Sequence, residues 1–258
     1  METKQTMKIQ RKLLLLTSLV ALVVMVVALG ISSRLMKEAL ESAAKEKLAA
    51  VLEDRLNALT LRIEVMHTGL DVLATSHATT HSLPALSEAF AKLGINAQTV
   101  LQQSYLVSEV RRLPQERMLG TPYGQLQAAA LPAMQRSQQA YDWADVFLID
   151  PKGNVVFSVK KEADFATNLL TGPWKEQGLA RAVTPLLRDA IPGALSFADF
   201  SSYVPSNHAA AAFLAVPVFD ERKQTFLGVL AIQVSNKALN DMMRDRTGPE
   251  WASAAKSL

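Results

Sequence analysis

The chain has 258 residues, 49% of them hydrophobic, with no cysteine and with 27 basic side chains against 24 acidic ones, for a formal net charge of +3. Disulfides therefore play no part, and the dispersed basic residues form no stripe that would hold a nucleic acid. The length suits one good-sized domain or one domain plus a long helix, and the second organisation is the expected one.

Residues 1–12 form a basic tail carrying Lys4, Lys8, Arg11 and Lys12. Leu13 to Ser33 is uncharged and mostly aliphatic, long enough to cross a bilayer as a helix. Basic residues on the short flank predict a cytoplasmic N-terminus, with everything after Arg34 outside the inner membrane. Ala28-Leu29-Gly30 imitates a signal cleavage site, but the run is too long for a signal core, so a retained single-pass anchor is expected.

Residues 34–82 read as a long stalk helix. Its apolar positions are Met36, Leu40, Ala44, Leu48, Leu52, Leu56, Leu59, Ile63, Met66, Leu70 and Leu73, spaced by three or four, heptad-like from about Leu52 onward. The opposite face carries Glu41, Lys45, Glu46, Lys47, Glu53, Asp54, Arg55, Arg62 and Glu64. Two uses of the stripe stand open, packing on the chain's own domain and pairing with a twin in a homodimer. Thr75 to Ser82 weakens the pattern, and Pro84 is expected to begin a new element. Two or three helices then run to about Gln139, interrupted at Pro114 and around Gly120 to Gly124.

At Asp145 the period changes. Val146 to Ile149 and Asn154 to Val159 read as two strands joined by Asp150-Pro151-Lys152-Gly153, a sequence suited to a type I turn. Shorter β signals at Ala194 to Phe197, then Phe213 to Val218 and Phe226 to Val234, complete a five-stranded antiparallel sheet with helices on one side. The fold class is α+β.

A membrane helix, a stalk, a helical layer and a five-stranded sheet with an insertion between the second and third strands resemble the Cache domains, PAS-like extracytoplasmic sensors of bacterial receptors. The likeness is strongest from Asp145 through Val159 into Lys161-Glu162, Asp164-Phe165, Thr167-Asn168-Leu169 and Gly172-Pro173. This is similar to a sensor subfamily of methyl-accepting chemotaxis proteins with a K-E-x-D-F-G-T-N-L element followed by G-P-Y. Ala166 stands where that pattern has glycine, implying that no left-handed backbone is needed there, and Trp174 stands where it has tyrosine.

The resemblance implies a sensor domain over residues 83–243 that binds a small molecule in the periplasm for signal transduction in chemotaxis. The sensor part of a receptor histidine kinase or nucleotide cyclase, and a stand-alone anchored binding module, are the alternatives. No return helix, methylation helix or kinase-docking tip is present in the sequence. Residues 244–258 read unlike a sensor continuation. One coding of Pro249 to Lys256, shifted by a base, is similar to the opening of the next module in such receptors, so a frameshifted or truncated end is one expectation and a natural end the other.

The resemblance places the ligand between the sheet and the layer from Phe165 to Tyr203. Candidate ligand-binding residues are Tyr141, Trp143, Asp145, Phe147, Asp164, Trp174, Asp199, Ser201 and Tyr203. Core packing is the bland alternative for Phe147, Trp143 and Trp174, and loop capping for Asp164 and Asn168. Asp145 opens a strand, where it could hold an amine or be a solvated edge residue, while Asp199 and Tyr203 flank a strand end. Asp145 and Asp199 favour a cationic or zwitterionic ligand; Lys160, Lys161 and Arg181 favour a carboxylate. No catalytic constellation or phosphate cradle is found, so no enzyme activity and no cofactor are expected. His77 and His81 lie four apart but lack a third metal ligand at a matching position.

Overall fold

A computed structural model describes residues 2–106, 118–222 and 224–235; side chains at 2–18, 20, 21, 23, 59, 62 and 235 are outside that description. Pro114 and the tail 244–258 lie outside the described residues as well.

Helix α1 runs from Glu2 to Thr75, and the chain divides into two units, residues 1–62 and 63–258. In the first unit Leu22, Val26, Leu29, Leu40, Leu48, Leu52 and Leu56 are all more than half exposed. Among the described residues no helix is long and apolar enough to cross a membrane. In the second unit the same apolar stripe is buried at Met66, Leu70 and Leu73, which join the core of the domain. The stripe thus packs on its own domain at one end and is unpartnered among the described residues at the other.

Ser76 breaks the helix. Its backbone is extended and its hydroxyl accepts from the Thr79 N–H, capping α2, His77–Lys92. Pro84, expected to begin an element, lies inside α2, because the cap eight residues earlier had already restarted the helix. Helices α3, Ala97–Tyr105, and α4, Pro122–Ala140, follow; Thr121 caps α4, with Pro122 at the first turn where its missing N–H costs nothing. His77 and His81 stack on α2 with ring centroids 5.4 Å apart.

The sheet comprises β1, Asp145–Ile149; β2, Val155–Ser158; β3, Ser196–Tyr203; β4, Ala209–Phe219; and β5, Phe226–Ser235. Its order is β2-β1-β5-β4-β3, antiparallel throughout. The β1–β2 turn closes as its residues require: Asp150 Oδ1 accepts from the N–H groups of Lys152 and Asn154, and Gly153 takes φ +85°. At Gly228, φ +138°, a Cβ would lie 2.2 Å from the Ile149 carbonyl oxygen, so only glycine lets β5 run this close to β1.

Strand residues alternate between two cores. Val146, Leu148, Leu214, Val216, Leu230 and Ile232 pack under the end of α1, α2 and α4. Phe147, Ile149, Phe213, Ala215, Val229 and Ala231 pack under helix α5, Gly178–Arg188. Helices therefore cover both faces, not the one expected. The reason is the apolar stripe Leu179, Ala182, Val183 and Leu186, short enough to be read as part of a loop insertion. Burial on both faces also explains why β4 and β5 read as continuous apolar runs rather than alternating ones.

Candidate functional site

The loop leaving β2 puts Phe165 and Ala166 into the core beneath α2 and α4 and Leu169 into the one beneath α5, and three carboxyls fasten it. Asp145, the first residue of β1, is fully buried and is no solvated edge residue. Its Oδ1 accepts from the N–H groups of Val146 (2.7 Å), Val159 (3.0 Å) and Lys160 (3.0 Å), and its Oδ2 from the Ser158 hydroxyl at 2.7 Å. Asp164 Oδ2 accepts from the Tyr203 hydroxyl at 2.5 Å, joining the loop to edge strand β3. The Ser206 hydroxyl donates to Glu162 Oε2 and itself accepts from Gln233 Nε2 at 3.0 Å. Gln233 faces Asp145 across the β1–β5 pair, so the groups form one cluster.

The cluster has unmet capacity. Asp164 Oδ1 and Gln233 Oε1 are buried acceptors with no hydrogen-bond partner among the described residues. Buried acceptors left without a partner cost free energy, and a hydrogen-bond donor that reached them would recover it.

Electrostatics point the same way. Burial pushes the Asp164 carboxyl up to about 7, with repulsion from Asp145 and Glu162 adding to it and the Tyr203 hydrogen bond opposing. Burial likewise raises Asp145 to about 6, partly offset by its bonds from Ser158, Lys160 and Val146. The Tyr203 hydroxyl is raised by burial and by the neighbouring Asp164. Lys161, half-buried, is brought down to about 8 by burial, with Asp145 opposing; its ammonium lies 5.3 Å from the Tyr105 ring centroid and 5.8 Å from that of Phe157.

Two local features fix the loop's course. Lys161 and Ala166 both adopt left-handed backbone, φ +56° and +62°. The sequence expectation for Ala166 is thereby corrected: the left-handed turn is present, and alanine occupies it because the bonds on either side, Ala166 N–H to the Val155 carbonyl and Thr167 hydroxyl to the Asp164 carbonyl, impose it. Gln102 of α3 donates to the carbonyls of Ala163 (3.1 Å) and Phe165 (2.8 Å), and Trp174 Nε1 donates to that of Ala163 at 3.0 Å.

Of the candidates named from sequence, Asp145, Asp164 and Tyr203 are brought together. Phe147 lies in the core beneath them with Phe213, which packs edge-on against Tyr203 at 4.7 Å. Trp174 braces the loop from outside. Tyr141 and Trp143 do not reach the cluster: they stack on each other at 4.8 Å in the core on the other face, Tyr141 against Gly69. β3 begins and ends later than expected, so Asp199, Ser201 and Tyr203 are strand residues. Asp199 is exposed, its carboxylate accepting from the Phe200 N–H. Ser201 accepts from the Arg181 guanidinium at 2.7 Å. Asn168 does cap its loop, its Oδ1 accepting from the N–H groups of Leu170 and Thr171.

Sequence reasoning did not single out Glu162, Ser206 or Gln233 as site residues. Gln233 had a signal, a lone amide inside the apolar run Phe226 to Val234. Glu162 stood in the quoted motif, and Ser206 had no signal.

No protein-family model matches the chain, and no curated protein sequence does. Solved structures similar to it are extracellular sensor domains of chemoreceptors and histidine kinases. The sensor domain of the V. cholerae histidine kinase DctB is 15% identical with a TM-score of 0.34, over 65% of this chain and 58% of that one. The ligand-binding domain of the Campylobacter jejuni chemoreceptor Tlp3, in complex with 4-methylisoleucine, is 12% identical with a TM-score of 0.34, over 69% and 65%. The E. coli DcuS sensor domain is 15% identical with a TM-score of 0.32, over 64% and 99%. The chain thus spans less than two thirds of the length of the first two.

Proposed function

We propose that the second unit is the small-molecule-sensing domain of a membrane receptor of the chemotaxis type, and that it takes a zwitterionic ligand with an ammonium and a carboxylate. The observation that carries this is the pair of bare buried acceptors, Asp164 Oδ1 and Gln233 Oε1, in a cluster of three carboxyls. A donor-rich cationic group satisfies such acceptors and also offsets the charge of the carboxyls. Arg181 supplies the other pole. It is held at Ser201, two residues before Tyr203 on the same face of β3, which sets it about 7 Å along the strand from the acidic cluster. That span suits a small amino acid.

The uncharged run Leu13 to Ser33 anchors the protein in the inner membrane, and the domain lies in the periplasm; the run's length and its basic flank support this. The exposed stripe Leu40, Leu48, Leu52 and Leu56 pairs with that of a second copy, because an apolar seam of this length on a helix otherwise faces water. Ligand closure against the sheet then biases the packing of α1 at Met66, Leu70 and Leu73, giving the stalk two states to report. Binding, not catalysis, is the domain's activity.

The test is thermal unfolding of the full chain in detergent micelles against a panel of amino acids, amines and dicarboxylates. Zwitterionic compounds raise the midpoint, and Asp164→Asn and Arg181→Ala each remove the shift. A panel in which dicarboxylates alone stabilise, or nothing does, overturns the reading.

A further inference from the structure

We propose that the segment from Lys160 to Thr167 is a proton-operated latch: Asp145, Glu162 and Asp164 hold it against the sheet while the two aspartates share protons, and it lifts when both aspartates are ionised. The inference does not depend on the ligand proposed above, and its test uses the protein alone.

The geometry is that of a clasp with three points. Asp145 on β1 accepts the N–H groups of Val159 and Lys160 at the near end of the segment. Glu162 takes the hydroxyl of Ser206, just beyond β3, and Asp164 takes that of Tyr203 at the end of β3. Fastening to the sheet in this segment's middle therefore runs through carboxyls, each also repelling the other two. Like charges gathered in a dry site cannot all ionise without cost, so the closed segment requires that protons remain in the cluster.

The surroundings supply little to offset that charge. Lys161, on the segment itself, couples to Asp145, but its ammonium lies over the rings of Tyr105 and Phe157. The β5 contribution is the neutral Gln233, and that of β3 is the phenol of Tyr203. Helix α5 offers Leu179, Ala182 and Val183 to this face, and its Arg181 is engaged at Ser201. The segment's other bonds are neutral: Gln102 and Trp174 donate to its carbonyls, the Ser158 hydroxyl accepts from the Lys161 N–H, and its far end pairs with Val155 of β2, with Phe165 and Ala166 in the core, so that this end is the hinge on which it turns. Burial places the two aspartates at about 6 and about 7, so the change falls near neutrality.

The latch also accounts for access. Asp164 is wholly buried, so nothing reaches its bare oxygen until the segment moves.

Hydrogen exchange read by mass spectrometry on the full chain in detergent tests this, at about pH 5.5 and about pH 7.5, corrected for the intrinsic pH dependence of exchange. Protection of residues 160–167 falls roughly tenfold between the two, while that of β4 does not change. In Asp164→Asn the fall is reduced or lost. Tyr203→Phe, which removes the carboxylate's donor without adding a charge, moves the loss to higher pH. Equal protection at both pH values overturns the proposal; so does an Asp164→Asn chain with the full wild-type fall, or, should that variant not fold, an unmoved midpoint in Tyr203→Phe.

Discussion

The Tyr203 hydroxyl and the Asp164 carboxylate meet at 2.5 Å although 39 residues separate them, and this bond ties the edge of the sheet to the loop that crosses it. Both partners are buried, so removing one leaves the other without a partner and away from water. Tyr203→Phe removes the side-chain donor to the Asp164 carboxyl and lowers stability by about 2 kcal/mol, the range for a bond to a charged group. Urea unfolding of the two chains in the same detergent measures it. A loss as small as that of an exposed hydroxyl would place Tyr203 outside the clasp.

The clasp also sets the sign of the pH dependence. Asp145 and Asp164 have folded-state values of about 6 and about 7, above the 3.8 of an ordinary aspartate. Between these limits the folded chain binds more protons than the unfolded chain, so stability falls as pH rises, by up to about 1.4 kcal/mol per pH unit for each group. Lys161 acts in a different window. Its value of about 8 lies below the ordinary 10.5, so from about 8 the folded chain binds fewer protons and stability recovers, until near 10 Tyr105, Tyr123 and Tyr203, raised by burial, keep protons that the unfolded chain loses and turn it down again. Thermal midpoints taken from pH 5 to pH 10 should therefore pass through a minimum between about 7 and about 8. Asp164→Asn flattens the falling limb and leaves the rising one.

How far the sequence discloses this arrangement follows from range. The hairpin at Asp150 to Gly153 was readable because its bonds are local and its residue types are constrained. The apolar spacing disclosed both halves of α1, though only the structure divides the stripe into a buried end at Leu70 and an exposed one at Leu52. Asp145, Asp164 and Tyr203 were named through the resemblance, which pointed to the strand pair and the layer that follows it. Glu162, Ser206 and Gln233 join them only through strand pairing between β1 and β5 and the course of the chain after β3, contacts that no local pattern encodes. The same limit explains Tyr141 and Trp143: the resemblance named them as candidates, but their stack belongs to the opposite core, and which face a residue before β1 joins is set by tertiary packing.

Ala166 offers a test of backbone strain. It is buried and sits at φ +62°, where a Cβ is crowded. Glycine would relieve that crowding but give up a buried methyl and gain freedom in the unfolded chain, so Ala166→Gly stays within about 1 kcal/mol of the parent. Valine cannot make the same exchange. A β-branched side chain in left-handed backbone is an outlier, and Ala166→Val should cost about 3 kcal/mol. Comparing the denaturation midpoints decides it, and equal losses in both variants would mean that the methyl's packing, not the backbone, governs this position.

The two ends of the apolar stripe respond to different measurements. Leu70 is fully buried in the domain core, so Leu70→Ala removes packing and leaves a cavity, costing about 2 to 5 kcal/mol of domain stability. Leu52 is more than half exposed, and Leu52→Ala leaves the domain's unfolding within about 0.5 kcal/mol. Pairing with a second copy reverses the ranking. Leu48→Glu combined with Leu52→Glu sets like charges in the seam, converting a dimer to a monomer in sedimentation or cross-linking in detergent, whereas Leu70→Ala leaves association unchanged at temperatures where the domain is folded. A chain that is monomeric before any substitution, or one whose dimer survives the double glutamate, would remove the stalk from the interface and return the exposed stripe to an unexplained feature of the first unit.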